Sequence, residues 1–219
     1  MSTSLFVLGD SISIHYGPWL RRYLGHAFEY NRKGGPEVGE DHGPAPDPAN
    51  GRDSVHVLSY LEDLQSSGFS TDILLVNCGL HDIRHEPSMR QCQTNLPDYH
   101  SNLSQIVAIG RQISRQTVWV RTTPIRADTE TRFMRDVDIY NAAADEIMGE
   151  HSIPIIDLHG LTLSLGMEAF NDDHVHFVLD FRRLQGAFIA GWLQQFALSR
   201  KVGAVSPVRK EQLITVGSL

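Results

Sequence analysis

The stretch LFVLGDSISIHYG, residues 5–17, decides how the rest of this chain is interpreted. Its first four residues are all apolar, which is typical of a strand covered on both faces of a sheet. Gly9 and Asp10 end the apolar run, and a helical pattern follows. Ser11 is therefore predicted to stand on a turn from strand to helix, with its hydroxyl over the edge of the sheet.

A serine on such a turn fits two roles. It can be a nucleophile, because its hydroxyl is held above the sheet edge. It can equally be part of an ordinary helix start, since Ser and Asp are preferred capping residues. The tripeptide Gly9-Asp10-Ser11 by itself favours the capping role, although it leaves the nucleophile open.

Outward from this stretch, strand and helix patterns alternate five times, which predicts a three-layer α/β/α fold with a doubly wound, mostly parallel, five-stranded sheet. The predicted strands are residues 5–9, 28–31, 73–78, 117–122 and 153–158. The predicted helices are residues 14–24, 54–65, 99–114, 137–150 and 181–198. Ligands of such folds bind beyond the carboxyl ends of the strands. Three long loops, residues 32–50, 82–97 and 124–136, are expected there.

Composition narrows the class of protein. The chain has 219 residues, 41% apolar and 21% charged, which is ordinary for a globular domain. We expect one domain over residues 1–200 and a tail over 201–219. A net charge of −7, with no cluster of Lys and Arg, argues against nucleic-acid binding.

Location and redox state are also predicted from the sequence. No apolar run approaches the about 18 residues that a membrane-spanning helix needs. The first residues lack a basic segment followed by a long apolar one, so a secretory signal is not indicated and the cytoplasm is expected. Cys78 and Cys92 are accordingly expected to remain unpaired. The oligomeric state is not indicated.

A second chemical motif, Asp172-Asp173-His174-Val175-His176, precedes the last predicted helix. A carboxylate three residues before a histidine can hold the imidazole Nδ1 and leave Nε2 free to accept a proton. Asp173 and His176 have this spacing. The same acids and histidines are possible metal ligands, but no HExxH or cysteine cluster accompanies them.

These motifs together resemble the SGNH hydrolases, also called GDSL-like lipases and esterases, from Leu5 to about Phe196. Residues 9–12 match the nucleophile block, and residues 50–54 match the block whose glycine amide lines the oxyanion hole. Residues 79–82 match the third block, and residues 173–176 match the Asp-x-x-His block.

The resemblance implies a flavodoxin-like fold and a serine esterase. It assigns Ser11 as nucleophile, His176 as general base and Asp173 as its orienting carboxylate. It places Gly51 in the oxyanion hole and counts Asp10, beside the nucleophile, among the oxyanion and substrate-binding residues. The implied substrate classes are small acyl esters, lipids and O-acetylated sugars, among which the sequence does not choose, and no cofactor or metal is expected.

The third block departs from the family pattern, because His81 stands where the family usually has asparagine. Imidazole retains an N–H, so we expect His81 to replace the amide donor of the oxyanion hole. The alternative is that His81 only shapes its loop or pairs with a carboxylate.

Several other residues have competing interpretations. Gly34 and Gly39 have P-loop spacing but lack the following Lys and Ser or Thr, and they compete with Gly51 for the oxyanion role. Arg84, Arg126 and Arg132 lie in loops expected to frame the site and suit an anionic substrate group, although solvated loop charges explain them more simply. The remaining histidines are interpreted as surface or packing residues: His15, His26, His56, His100 and His151.

The sequence thus predicts a serine esterase that cleaves small acyl esters, O-acetyl esters among them, through an acyl-enzyme. Two alternatives stay open. One is a non-catalytic binding domain on the same fold, because fold alone does not establish activity. The other is a metal-dependent hydrolase.

Overall fold

The computed structural model describes residues 2–85 and 91–203, with side chains up to residue 199. Five strands alternate with six α-helices over this part of the chain. The strands are β1 Thr3–Leu8, β2 Phe28–Arg32, β3 Thr71–Val76, β4 Ser114–Val120 and β5 Ile155–Ile156. The helices are α1 Ser11–Leu24, α2 Ser54–Ser66, α3 Leu96–Ile113, α4 Met134–Glu150, α5 Leu158–Ser164 and α6 Leu179–Gly203.

The strands form one sheet in the order β2-β1-β3-β4-β5, and every pairing is parallel. The chain moves outward in one direction from β1 to β2 and in the other from β3 to β5. The crevice beyond the carboxyl ends of β1 and β3 is therefore the topological switch point, where ligands of such sheets bind. Ser11 follows β1 and His81 follows β3, so both lie at this place.

Helices cover both faces of the sheet, as the continuous apolar strands require. Helix α1 packs against α6, while α2 packs against α3 and α3 against α4. The contact between α1 and α6 is very close at Gly186, where a Cβ atom would lie 2.8 Å from the Leu20 nitrogen. This close approach fixes α6, and the loop that precedes it, against the helix that begins with Ser11. The predicted three-layer α/β/α fold is confirmed.

The helix starts differ from the predictions by up to three residues, because capping side chains set them. Asp10, Asp53 and Asn95 each accept a hydrogen bond from a backbone N–H of the first turn, so α1, α2 and α3 begin directly after them. The same effect truncates the fifth strand. Asp157 caps α5 through the Gly160 N–H, and only Ile155 and Ile156 pair with β4.

The structure also bears on the predictions about the two cysteines, membrane-spanning helices and the boundary of the domain. Cys78 is buried, Cys92 is half-buried, and both are free thiols. No helix in the described ranges is long and apolar enough to cross a bilayer, and the cytoplasmic location stays a prediction. The boundary expected at residue 200 falls inside α6, and residues 204–219 of the expected tail lie outside the described residues.

Candidate active site

Ser11 is the first residue of α1 and lines a pocket of about 680 Å³. Its neighbour Asp10 is 1% exposed and accepts a hydrogen bond from the Ile12 N–H at 3.0 Å. Asp10 is thus the capping residue of α1 and does not line the pocket, so it is not placed to touch a substrate, contrary to the sequence interpretation. The cap leaves Ser11 in the first turn, with its side chain turned to the pocket.

Two short hydrogen bonds connect Ser11 to His176 and, through the His176 ring, to Asp173, although both residues lie far from Ser11 in the sequence. Ser11 Oγ lies 2.8 Å from His176 Nε2, and His176 Nδ1 lies 2.6 Å from Asp173 Oδ2. The structure therefore brings together the three side chains that the sequence analysis assigned to nucleophile, base and orienting carboxylate. In this arrangement the Nδ1 proton faces a carboxylate and Nε2 faces the serine hydroxyl, which is the geometry a general base requires.

The Asp173 carboxylate also holds the backbone of its own loop. Its Oδ1 accepts hydrogen bonds from the backbone N–H groups of Val175 and His176, at 3.0 and 2.8 Å. Partial burial opposes ionisation, but the hydrogen bonds from His176 and Val175 outweigh it and lower the pKa of Asp173 to about 2. Asp173 is therefore ionised at neutral pH and orients the imidazole.

The loop that carries these residues is fixed from a second side by Arg126. Its Nε donates to His174 Nδ1 at 3.0 Å, and its backbone N–H donates to the His174 carbonyl at 2.8 Å. His174 adopts a φ of 64°, a strained conformation for a non-glycine residue, and these contacts stabilise it. Arg126 does not line the pocket, so the structure gives it a structural contact in place of the expected substrate contact.

His15 lies one helical turn after Ser11 and packs against the base. Its ring is 6% exposed and meets the His176 ring edge to face, with centroids 5.0 Å apart. Burial lowers the pKa of His15 to about 3, and the nearby charges of Arg182 and His176 add to the effect. Neither ring nitrogen has a hydrogen-bond partner in the described part of the chain. His15 thus forms a neutral wall of the pocket beside His176.

The Gly51 amide, which the sequence analysis placed in the oxyanion hole, is already occupied. It donates to the Gly9 carbonyl at 2.8 Å, and Gly51 does not line the pocket. A Cβ atom at residue 51 would lie 2.8 Å from the same carbonyl oxygen. The expectation for Gly51 is therefore wrong for this conformation, since glycine is needed there for close approach of two backbone segments.

His81 and Asn50 instead present nitrogen atoms to the pocket. Both residues line it, and neither the His81 ring nor Asn50 Nδ2 has a hydrogen-bond partner among the described residues. The other end of the Asn50 amide is held, because its Oδ1 accepts from the Arg52 N–H at 2.8 Å. Burial lowers the pKa of His81, against the opposing charge of Asp10, so a neutral imidazole with one N–H is favoured.

Asp82, which follows His81, has a structural role. It is fully buried and accepts hydrogen bonds from the Ser54 N–H at 2.9 Å and the Ser54 hydroxyl at 2.6 Å. Burial raises the pKa of Asp82 to about 6 in spite of these bonds. Asp82 therefore fixes the start of α2 beside the loop that carries His81.

Two arginines line the pocket. Arg132 is one of the three loop arginines that the sequence analysis named, and Arg182 was not named there. Arg132 and Arg182 face it, whereas Arg84 is exposed and, like Arg126, lies outside the lining. Arg132 Nε donates to the Leu80 carbonyl at 2.7 Å. Arg182 Nε donates to the Phe177 carbonyl at 2.7 Å. The pocket therefore has positive charge on two sides.

A possible metal cluster lies elsewhere. Among the described residues, one group of three close ligand side chains is present: His85, Cys92 and Asp136. None of these residues lines the pocket, and His85 Nε2 lies within hydrogen-bond distance of Asp136 at 2.8 Å. Among the described residues, the aspartates and histidines of residues 172–176 do not form such a group.

Sequence reasoning missed three pocket residues for different reasons. His15 was interpreted as a packing residue, although its spacing of four from Ser11 places both on one helix face. Asn50 was passed over in favour of the neighbouring glycine. Arg182 lies in α6, and no local signal distinguishes it from Arg183, which is exposed. Only the packing of α6 on α1 directs Arg182 to the pocket.

Comparison with known proteins identifies the family of the chain. The profile of the GDSL-like lipase/acylhydrolase family matches residues 7–178. No curated protein sequence matches the chain.

Similar solved structures share the fold at low sequence identity. The acetyl xylan esterase AlAXEase superposes with a TM-score of 0.67 at 14% identity, covering 87% of this chain and 99% of its own. A lipase/acylhydrolase from Enterococcus faecalis gives 0.67 at 17% identity, over 90% and 97%. The acetylxylan esterase Axe2 from Geobacillus stearothermophilus gives 0.64 at 14% identity, over 88% and 93%. With the family match over most of its length, the chain belongs to the GDSL-like lipase/acylhydrolase family of ester-hydrolysing enzymes.

Proposed function

We propose that this protein is a serine esterase that cleaves small acyl esters through an acyl-enzyme. The observation that carries the proposal is the chain of hydrogen bonds from Ser11 Oγ through the His176 ring to Asp173, at 2.8 and 2.6 Å. A serine alone is a weak nucleophile, and a base oriented by a third group is what activates it.

In the acylation step, His176 Nε2 accepts the hydroxyl proton as Ser11 Oγ attacks the ester carbonyl. Asp173 stabilises the imidazolium through Nδ1 and keeps its own negative charge. The tetrahedral intermediate collapses when His176 returns the proton to the leaving alcohol. Water then attacks the acyl-enzyme, with His176 acting as base a second time, and the acid is released.

The oxyanion of both tetrahedral intermediates needs N–H donors. We assign this role to the Ser11 backbone N–H, at the start of α1, together with the His81 ring. Asn50 Nδ2 takes the place expected for the Gly51 amide, because the Gly51 N–H is bound to Gly9. Support for His81 and Asn50 is their position in the pocket wall and the lack of another described partner for these nitrogens.

Short acyl groups, acetyl among them, are the proposed acyl part. Two of the similar structures are named as acetyl xylan esterases, which supports this choice by analogy of fold only.

Hydrolysis of 4-nitrophenyl acetate by the wild-type protein and its Ser11→Ala variant tests the proposal. We expect the variant to lose at least about 10³-fold in kcat, since removing a nucleophile leaves only binding and oxyanion contributions. Ser59→Ala, at an exposed position of α2, is the matched control and should be unaffected. An organophosphonate should add covalently to Ser11, detectable by mass spectrometry.

The alternatives give different results. Hydrolysis that is absent, or equal in wild type and Ser11→Ala, would favour the non-catalytic binding domain. Activity that a chelator abolishes and a divalent ion restores would favour the metal-dependent hydrolase.

A further inference from the structure

The pocket lining carries more positive than negative charge, although the protein as a whole is negative. Its charged lining residues are Arg132, Arg182 and Asp173, and Asp173 is hydrogen-bonded to His176. The chain as a whole has a net charge of −7. Positive charge at the bottom of a cleft, in a protein that is negative overall, attracts anions to that cleft.

About half of the other arginines whose side chains are described pair with a carboxylate. Arg21, Arg52, Arg115, Arg121, Arg135 and Arg183 each form a salt bridge with a carboxylate. In the described ranges, neither Arg132 nor Arg182 does. Both are half-buried, and burial lowers the pKa of each guanidinium. Asp173 attracts both groups and Asp10 attracts Arg132, but no described carboxylate lies within salt-bridge distance, so a bound anion would supply a direct partner for a half-buried charge.

The backbone contacts of the two guanidinium groups leave donors available. Arg132 uses Nε on the Leu80 carbonyl, and its two terminal nitrogens have no partner in the part of the chain that the structure describes. Arg182 uses Nε on Phe177 and one terminal nitrogen on the His42 carbonyl at 3.3 Å. Each side chain is thus held in place while N–H groups remain, as pre-organised carboxylate recognition requires.

Both arginines line the pocket beside the reacting groups, and the Asp173 carboxylate attracts both guanidinium charges. Arg132 is held by the residue before His81, on the oxyanion side. Arg182 is held beside His15 and the loop of His176, on the base side. An ester whose carbonyl reaches Ser11 would therefore have its substituents close to at least one guanidinium.

We propose that the natural substrate is an ester that carries a carboxylate, which Arg132 and Arg182 bind while the ester group lies at Ser11. This inference rests on the proposed function, since it concerns the substrate of the same site. The anionic group stays unchanged in the reaction, and only the ester bond breaks.

A matched pair of acetyl esters tests the proposal. 3-Acetoxybenzoate and 3-acetoxybenzamide share the acetyl group and the ring and differ in charge. We expect the wild-type kcat/KM to be at least about tenfold higher for the benzoate, because charge-assisted hydrogen bonds in a partly buried site are strong. Sodium chloride at high concentration should reduce this ratio.

Arginine variants locate the effect. Arg132→Gln and Arg182→Gln should each lower the benzoate to benzamide ratio about three- to tenfold, mainly through KM, and the double variant should bring it close to one. Arg115→Gln is the control, because Arg115 is exposed at the amino end of β4, away from the pocket. It should keep the wild-type ratio.

The outcomes separate the possible failures. A wild-type ratio near one, with Ser11-dependent hydrolysis of both esters, would overturn the carboxylate proposal and leave the esterase intact. Equal losses on both esters in the arginine variants, with an unchanged ratio, would assign the arginines to oxyanion stabilisation or structure and also overturn it. Loss of the Ser11 dependence would refute the proposed function itself.

A measurement on the wild-type protein alone guards against variants that do not fold. 3-Hydroxybenzoate should inhibit hydrolysis of 4-nitrophenyl acetate competitively, at least about tenfold more strongly than 3-hydroxybenzamide. Equal inhibition by the two compounds would contradict the proposal.

Discussion

The two sides of the pocket differ in how completely they are organised without a substrate. On the base side, the chain from Ser11 through His176 to Asp173 is made of short hydrogen bonds, and Asp173 also holds its own loop. On the oxyanion side, the expected Gly51 amide is bound to Gly9, while the His81 ring and Asn50 Nδ2 have no described partner. In the proposed mechanism, the groups that transfer the proton are thus already hydrogen-bonded without a substrate, whereas the proposed oxyanion donors are left for the substrate to engage.

This difference between the two sides predicts that substitutions on the base side lower kcat the most. His176→Ala should lower kcat by about 10⁴-fold or more, since in the described ranges no other basic group lies within hydrogen-bond distance of Ser11 Oγ. Stopped assays with 4-nitrophenyl acetate would measure it. His26→Ala, at an exposed position, is the matched control. Activity of His176→Ala within tenfold of wild type would show that the observed hydrogen bonds are not the catalytic ones.

His81 should have the next largest effect. His81→Ala removes one oxyanion donor and should lower kcat by about 10²- to 10³-fold, with a small change in KM. His81→Asn restores an N–H donor of the type that the family usually has, and we expect it to recover part of the loss. An unchanged kcat in His81→Ala would assign His81 to shaping its loop.

Asn50 provides a finer test of the same side. Asn50→Asp keeps the acceptor for the Arg52 N–H and replaces the Nδ2 donor with a negatively charged oxygen. We expect kcat to fall by about 10²-fold, because the oxyanion would then meet an acceptor. Asn50→Ala should cost less than Asn50→Asp. If both variants keep wild-type kcat, the Gly51 amide or another donor must move into the oxyanion hole on substrate binding.

Replacing His15 should have the smallest effect. It should change how the free energy of unfolding depends on pH. Its pKa is about 3 in the folded protein and about 6.5 when unfolded, so the unfolded chain binds the extra proton between these values. Stability therefore rises with pH through this window and falls on acidification. At pH 5 this group should reduce the free energy of unfolding by about 2 kcal/mol relative to pH 7.5.

Urea unfolding of wild type and His15→Leu at pH 7.5 and 5 measures this contribution. The loss of stability on acidification should be about 2 kcal/mol smaller in the variant. His26→Leu should behave as wild type. Parallel losses in wild type and His15→Leu would mean that the ring beside His176 is accessible to protons.

The order of elements was predictable because it depends on local patterns. Apolar runs of strand length alternate with helical segments, and parallel pairing follows from strands that are apolar on both faces. Short strand β5 and helix α5 were not distinguished, because the apolar residues 153–158 fit a strand until Asp157 caps a helix. A cap competes with strand pairing only once the neighbouring strand is in place.

The site was predictable in part, for a similar reason. Ser11, Asp173 and His176 were found because each lies in a short motif with a chemical meaning. Gly51 was misassigned, because the sequence reveals a glycine but not the close contact with Gly9 that requires it. Arg182 was missed, because its direction is set by the packing of α6 on α1.

The sequence by itself thus determined which reactive groups are present and at which end of the sheet they lie, since motif and strand order are properties of the chain. Only the tertiary structure decided which N–H groups remain available and which arginines face the pocket. Hydrogen-bond donors are consumed by contacts between distant segments, such as Gly9 with Gly51 and Leu80 with Arg132, and such contacts have no local signature.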